Sequence, residues 1–187
     1  MSITRTAGRY HWSQVALHWA VAALVVVQYA TSGSIARTHH AEHLGEEPSA
    51  VDLAMHAIHN RSGLLILALM LIRLALRWRL GAPAPLLGTD ARKAAWRALL
   101  ARTAHGALYM LLIAQAVTGA TAAYLYWPAA RLHAGLANVT LALIALHAAA
   151  ALWHHAVERD GTLWRMLGRR REETSSLPPL MPAAQAK

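Results

Sequence analysis

Residues 132–157 read LHAGLANVTLALIALHAAAALWHHAV, a run without a single Asp, Glu, Lys or Arg. A helix needs about 20 mostly apolar residues to cross the hydrocarbon core of a bilayer, so this run is long enough for one crossing. Its histidines are the exceptions to the apolar pattern. Because ionisable side chains are costly inside a membrane, histidines at such positions are candidates for function.

Three further apolar stretches precede this run in the chain. They predict an all-α protein, an integral membrane four-helix bundle, with spans at about residues 12–35, 53–78, 104–127 and 131–157. The second span is the weakest, because His56, His59 and Arg61 crowd its start; its apolar part, residues 63–72, also fits a buried helix of a soluble protein. The first span also fits a signal peptide that is cleaved.

The predicted domain covers residues 1–168 and carries all four spans. Residues 169–187 are first charged and then rich in Ser, Pro and Ala, which predicts a disordered tail. Apolar residues make up 56% of the chain and charged residues 14%, against about 45–50% and 25% in a soluble domain. The absence of cysteine excludes disulfides, thiolate zinc sites, iron–sulfur clusters held by Cys and haem attached through C-x-x-C-H.

The formal net charge of +9 is distributed unevenly between the predicted loops. The loop 77–102 holds six Arg or Lys residues against Asp90, and both terminal segments are also basic. The opposite side has Arg37, Arg61 and Arg131 together with four carboxylates. The positive-inside rule therefore predicts that both termini are cytoplasmic. The charge is explained by topology and by contact with membrane lipid, and we expect no nucleic-acid partner.

Four histidines fall into two pairs by predicted depth. His133 and His147 are 14 residues apart, which is nearly four helical turns and about 21 Å along one face. His133 lies near the outer surface, at the depth of His59. His147 lies in the inner half, at the depth of His18. Each pair, His59 with His133 and His18 with His147, can hold one planar macrocycle between two helices.

The chemistry of each pair favours haem. Two imidazoles without a carboxylate or thiolate fit a six-coordinate b-type haem, whereas a metal ion usually takes three or four protein ligands. Two haem b groups stacked across the bilayer form an electron path, and an iron with two histidine ligands favours electron transfer over oxygen binding. Histidines inside a membrane also bridge helices, so a haem-free transporter of ions or protons remains an alternative.

Other polar residues are weaker candidates. His105 is the rival inner ligand, or a contact of a haem propionate or a quinone. Arg73 fits a propionate or quinone contact, and also an ordinary side chain that reaches the interface. Arg61 and Arg131 fit contacts of a propionate or of superoxide near the outer pair, with the same alternative.

The remaining histidines have less specific interpretations. His56 lies one turn before His59 and could replace it as a ligand. His154 and His155 lie near the inner interface and are expected to hydrogen bond to lipid headgroups or haem propionates. Three histidines in the predicted outer loop 34–52 fit zinc or copper binding, although a solvated loop is the simpler interpretation; they are His39, His40 and His43.

Four segments of the chain resemble the bacterial cytochrome b561 family. The first is RYHWSQVALHW, residues 9–19, and the second is Ile58-His59 with Gly63 and Arg73. The third and most specific is LHAAAALWHH, residues 146–155, and GTLWRML, residues 161–167, resembles the family's end.

This resemblance implies a bundle of four helices with two haem b groups, whose ligand positions match His18, His59, His133 and His147. It implies electron exchange with ubiquinone in the bacterial inner membrane, and similarity to superoxide:ubiquinone oxidoreductases. We therefore expect an oxidoreductase that joins the quinone pool to a donor at the outer face, with superoxide as one donor class. The alternative is an electron-transfer or anchor subunit that needs a partner redox protein, such as a dehydrogenase or hydrogenase.

Overall fold

The computed structural model describes residues 10–81, 91–159 and 162–167, and these residues form helices and short connections. Four long helices follow one another along the chain: α1 Trp12–Leu44, α2 Ala50–Leu80, α3 Ala91–Tyr124 and α4 Ala129–Trp153. A π-helical turn, His154–Glu158, continues α4, and a short helix, α5 Thr162–Met166, follows. The predicted all-α class is confirmed. The predicted tail, residues 169–187, lies outside the described residues.

Two helices extend well beyond the predicted spans, and the predicted loops are wrong there. Helix α1 continues to Leu44, so His39, His40 and His43 lie on its last turns and not in a loop. Residues 36–44 contain no Gly or Pro. The helix ends at Gly45, which adopts the left-handed conformation with a φ of 70°. Helix α3 begins at Ala91, within the predicted loop 77–102, since Ala, Arg and Leu are strong helix formers.

The helix ends are defined by local hydrogen bonds. The His11 side chain accepts a hydrogen bond from the Ser13 backbone N–H and caps α1, and the Ser49 hydroxyl caps α2. Gln14 donates to the Gly81 carbonyl over 3.0 Å, which joins the start of α1 to the end of α2. These two helices are therefore antiparallel neighbours.

The bundle interior is built from small and polar side chains as much as from apolar ones. Helix α1 packs on α2, α2 on α3, and α3 on α4. The apolar core centres on Val21, Ile66 and Met70. Towards the end of the bundle at the α1–α2 connection, the buried residues carry hydroxyls and an imidazole: Thr31, Ser34, Thr38, His59 and Ser62. Thr140 is buried near the middle of α4. Small and hydrogen-bonding residues at helix contacts are typical of helices that associate within a membrane.

Three helical segments are long and apolar enough to cross a membrane. They are Trp12–Leu44, Ala95–Tyr124 and Ala129–Glu158. Helix α2 does not meet this condition, in agreement with the weakness of the second predicted span, because polar side chains such as His56, Arg61 and Arg73 interrupt it. The chain therefore has three apolar membrane-span candidates and one further long helix.

Candidate functional site

The outer pair joins α2 to α4. The rings of His59 and His133 have their centroids 6.2 Å apart and are nearly perpendicular, at 87°. Metal–imidazole bonds of about 2 Å place the centres of two rings on opposite sides of one metal about 6 Å apart. The two side chains that the sequence paired by depth therefore lie at a separation that suits one central metal atom.

Hydrogen bonds orient both rings of the outer pair in the same way. His59 Nδ1 lies 3.2 Å from the Gln28 carbonyl oxygen, and His133 Nδ1 lies 2.9 Å from the Gln115 carbonyl oxygen. A proton on Nδ1 that is donated to each carbonyl leaves Nε2 as the unprotonated nitrogen. Histidines that bind metals usually donate their other ring N–H to a carbonyl or carboxylate in this way.

Gly119 on α3 makes room for the His133 ring. A Cβ at this position would lie 2.8 Å from His133 Cε1 and 3.0 Å from Nδ1. Any larger residue would force the ring or the helix to move. Gln115, one turn away on the same helix, also donates from its side-chain amide to the His133 backbone carbonyl over 3.1 Å. Helix α3 thus positions the histidine of α4.

The inner pair joins α1 to α4. The His18 and His147 ring centroids are 6.3 Å apart, at an angle of 68°. His18 Nδ1 accepts a hydrogen bond from Arg73 Nη1 over 3.0 Å, so His18 differs from the outer histidines in the hydrogen bonding of its ring. The structure again brings together two residues that the sequence paired by depth.

His105 lies at the same site. Its ring centroid is 5.4 Å from that of His147, and its Nδ1 donates to the Ala101 carbonyl of its own helix at 2.5 Å. The structure therefore places the rival inner ligand beside the predicted pair. At the inner end, three imidazoles from α1, α3 and α4 converge.

Arg73 belongs to the inner site, whereas Arg61 and Arg131 do not contact either pair. Besides His18, Arg73 contacts Tyr109, with Nε 3.4 Å from the phenol oxygen. Arg61 and Arg131 are exposed at the outer end and form no hydrogen bond or ion pair with any residue in the described ranges. Two cations near the outer pair are thus available to small anions from solution.

The predicted outer histidine cluster is only partly assembled. His39 pairs with Glu42 over 2.9 Å, and its ring lies 5.5 Å from that of His56 and 4.4 Å from that of Trp127. Within residues 10–81, 91–159 and 162–167, no group of three or more His, Cys, Asp or Glu side chains could hold a metal ion. The described residues therefore give no support to the zinc or copper interpretation.

The outer ends of α1 and α2 are joined by an ion pair. Arg37 Nη2 lies 2.6 Å from Asp52 Oδ1. Hydrogen bonds from Arg37 and then from Ser49 hold the pKa of Asp52 below its usual value. This pair fixes the helix ends above the outer histidines and is not part of the site itself.

The π-helical turn forms an ionic cluster at the inner end. Arg97 binds Glu158 through two hydrogen bonds of 3.0 Å, and His154 Nδ1 lies 2.9 Å from the same carboxylate. His155 contacts the Trp164 ring instead, with the centroids 5.5 Å apart. Within the described residues, His154 thus contacts a carboxylate and His155 an aromatic ring near the end of α4.

Sequence reasoning missed four residues of the site: Gln28, Tyr109, Gln115 and Gly119. Two of them, Gln28 and Gln115, offer backbone carbonyls, which any residue type would supply, so their side chains gave no signal for this role. Gly119 and Tyr109 lie on α3, and only the packing of α3 on its neighbours reveals their position. The polar Gln28 inside an apolar span was the one visible signal.

The donor set fits haem b. Each pair offers two imidazoles from different helices, and apolar helices surround both pairs. In the outer pair, hydrogen bonds from both Nδ1 atoms to backbone carbonyls would leave Nε2 free to bind a metal, and Gly119 admits the His133 ring. Carboxylate and thiolate ligands are absent from both pairs among the described residues, which matches a six-coordinate b-type haem.

Comparisons with known proteins agree with this site. The family model for prokaryotic cytochrome b561 matches residues 9–169. Cytochrome b562 of Cereibacter sphaeroides is 34% identical over 159 residues, which cover 82% of this chain and 92% of that protein. A Yersinia pestis protein named "Probable superoxide oxidase CybB" is 29% identical, over 87% of this chain and 98% of that one. Cytochrome b561 homolog 1 of Escherichia coli K12 is 28% identical, over 87% and 99% of the two chains. The chain therefore belongs to the prokaryotic cytochrome b561 family, a family of haem b proteins that transfer electrons in bacterial membranes.

Proposed function

We propose that the chain is a membrane oxidoreductase with two haem b groups, which exchanges electrons between the ubiquinone pool and a donor at the outer face. Superoxide is the donor class that we put first. This proposal rests on two pairs of histidines, each pair joining two different helices of the bundle. The ring centroids are 6.2 Å apart in the outer pair and 6.3 Å apart in the inner pair. When bound, each haem supplies reversible one-electron transfer.

Within this proposal, His59 and His133 bind the outer haem, and His18 and His147 bind the inner one. The carbonyls of Gln28 and Gln115 hold the outer imidazoles in the ligating tautomer. Arg73 and His105 lie beside the inner pair and contact the edge of the cofactor or of a quinone.

The proposed orientation has four crossings and cytoplasmic termini in the inner membrane. Helix α2 has 31 residues, enough to span a bilayer of about 30 Å at 1.5 Å per residue. Its antiparallel packing on α1 supports a path between the same two surfaces as α1. Four basic residues at the end of α2 and near the start of α3 then lie near the cytoplasmic surface, in accord with the positive-inside rule: Arg77, Arg79, Arg97 and Arg102.

Two exposed cations near the outer pair offer a local attraction for an anion, although the α1–α2 connection at the same end is acidic. Arg61 and Arg131 are exposed and unpaired within the described residues, whereas Arg37 is neutralised by Asp52. Positive charge that is focused near a site raises the local concentration of small anions. The similarity to a protein named as a superoxide oxidase supports the same donor class.

Ubiquinone is proposed as acceptor because it dissolves in the bilayer, where the apolar faces of α1, α3 and α4 are exposed. Among the described residues, the connections 45–49 and 125–128 at the outer end are short and offer little surface for a partner protein there. This favours a protein that acts alone over a subunit of a larger dehydrogenase or hydrogenase.

The test uses the purified protein in liposomes that contain ubiquinone, with superoxide generated outside. We expect superoxide to reduce the haem and the quinone to reoxidise it. The double variant Arg61→Gln/Arg131→Gln should lower the rate with superoxide at low salt, while reduction by an uncharged reductant is unchanged. A haem protein that shows no turnover with superoxide and quinone, and that copurifies with other subunits, would contradict the proposal.

A further inference from the structure

Two guanidinium groups of α2 lie over one aromatic ring of α3 at the inner site. Arg73 and Arg77 are one helical turn apart, and their Cζ atoms lie 5.6 Å and 5.9 Å from the centroid of the Tyr109 ring. Arg73 also reaches His18 Nδ1 at 3.0 Å. Both arginines are partly buried, so this cluster faces the bundle and not open solvent.

These two positive charges have no carboxylate partner among the residues that the structure describes. Glu158 is bound by Arg97 at the π-helical turn. The other described acids are at the opposite end of the bundle: Glu42, Glu46, Glu47 and Asp52. Uncompensated charges of one sign that are partly removed from water are costly. An anion at this position would offset that cost.

We propose that Arg73, Arg77 and Tyr109 form the binding site for the carboxylate side chains of the haem that His18 and His147 hold. The inference rests on the proposed function and adds to it the anchoring of the inner haem. The planar fork of Arg matches a carboxylate with two parallel hydrogen bonds, and the Tyr109 hydroxyl supplies a further donor. A haem carries two such carboxylates, so each guanidinium has one to bind.

The position of the cluster favours this source of carboxylate over a lipid phosphate. Arg73 contacts a proposed ligand of the inner haem directly, and Tyr109 stands between the two guanidiniums and the bundle core. A lipid headgroup would instead contact cations on the exposed face of the helices, such as Arg79, which points away from the bundle interior. Arg79 lies on the same helix, only two residues from Arg77, and serves as the matched control.

The experiment measures the midpoint potentials of both haems in the purified wild type and in Arg77→Gln, Arg77→Lys and Arg79→Gln. The inner haem is identified as the one that is lost in His147→Ala. Loss of a positive charge beside the haem stabilises the more positive, oxidised iron. Arg77→Gln should therefore lower the potential of the inner haem alone, and Arg77→Lys should restore most of it, while Arg79→Gln leaves both potentials unchanged.

Arg77 is chosen because it does not contact His18, so its replacement spares the proposed ligand. Tyr109→Phe is the second variant; it keeps the ring and should weaken retention of the inner haem in a detergent wash. Unchanged inner potential and retention in both variants would overturn the inference, as would a fall only in copurified anionic lipid. A wild type without two haems would instead contradict the proposed function itself.

Discussion

Gly119 fixes the place of a proposed ligand by having no side chain. A Cβ there would approach His133 to 2.8 Å, closer than side-chain carbons normally come to other atoms. The His133 ring can therefore lie between α3 and α4 with its Nδ1 on the Gln115 carbonyl. One hydrogen atom in place of a methyl group thus sets the geometry of the outer pair.

Gly119→Ala should displace the His133 ring and weaken or alter the outer haem. We expect a shifted or reduced absorption band for one haem, while the inner haem is retained. The measurement is the reduced-minus-oxidised visible spectrum with haem quantification. Gly106→Ala on the same helix is the control, because a Cβ there would have nothing within 4 Å. Equal spectra for wild type and Gly119→Ala would refute the role given to this glycine.

Which histidines lie together could be predicted from sequence, but the orientation of their rings could not. Depth along each span paired His59 with His133 and His18 with His147, and the rings of both pairs do meet. The carbonyls that orient the outer rings belong to Gln28 and Gln115, and a backbone carbonyl has no sequence signature. The hydrogen bond from Arg73 to His18 was not foreseen either, because it depends on how α2 packs on α1.

At the scale of helices, α1 and α2 are joined by a polar contact within an otherwise apolar pair. Gln28 Nε2 donates to the His59 carbonyl over 2.7 Å and to Ser62 Oγ over 2.6 Å. Gly63 lies beside this contact but is not required for it, since a Cβ there would make only an ordinary contact of 3.5 Å with the Gln28 amide. This contact stabilises the segment of α2 that carries His59.

Gln28→Leu removes two hydrogen bonds between α1 and α2. Because each hydrogen bond between membrane helices contributes about 0.6 kcal/mol on average, the free energy of unfolding should fall by about 1 kcal/mol. Unfolding in mixed detergent micelles, followed by the loss of helical signal, measures the change. Ser32→Ala is the control, because its exposed hydroxyl bonds only to the Tyr29 carbonyl of the same helix. A loss no larger than that of the control would show that the contact contributes nothing.

Helix α5 is held to the inner end of α1 by one hydrogen bond. Trp19 Nε1 donates to the Met166 carbonyl over 2.8 Å. Trp19→Phe keeps the apolar ring and removes this donor, so hydrogen exchange at residues 162–167 should become faster. Trp12→Phe, at an exposed position on the same helix, should leave that exchange unchanged. If both variants exchange alike, the bond does not hold α5.

Helix boundaries were the least predictable part of the elements. The spans were bounded by hydropathy, which responds to the hydrocarbon core, whereas helix ends depend on caps and on breaking residues. Helix α1 thus runs on to Leu44 with polar residues, and α3 begins at Ala91. Both helices exceed what a bilayer core requires.

At the scale of the whole molecule, the order of charges along the chain predicts how it sits in the membrane. The α1–α2 connection is acidic, whereas the end of α2 and the start of α3 are basic. If all four long helices cross, Glu46 and Ala95 lie on opposite sides. If α2 does not cross, they lie on the same side.

Labelling of single cysteines decides between these two arrangements, and the chain has no cysteine of its own to interfere. Glu46→Cys should react with an impermeant maleimide in spheroplasts. Ala95→Cys, which is exposed near the start of α3, should react only after lysis. Reaction of both cysteines, or of Ala95→Cys alone, in intact spheroplasts would exclude four crossings with cytoplasmic termini.

The fold class was accessible from sequence because the length of an apolar stretch is a local property, and the family was accessible because four segments of the chain resemble it. The packing of α3 was not, since its contribution to the site depends on residues far apart in the chain, such as Tyr109 beside Arg73. From the sequence, Arg77 is only one of the basic residues predicted to lie on the cytoplasmic side. Its position above the Tyr109 ring follows from the packing of α2 on α3.

The most direct test is a reduced-minus-oxidised spectrum with haem quantification, on the purified protein and on His18→Ala, His59→Ala, His133→Ala and His147→Ala. We expect two haem b groups per chain. The same haem should be lost or altered in His59→Ala and His133→Ala, and the other in His18→Ala and His147→Ala. His105→Ala should keep both. A folded wild type without haem, or an inner haem lost in His105→Ala but retained in His18→Ala, would contradict this assignment.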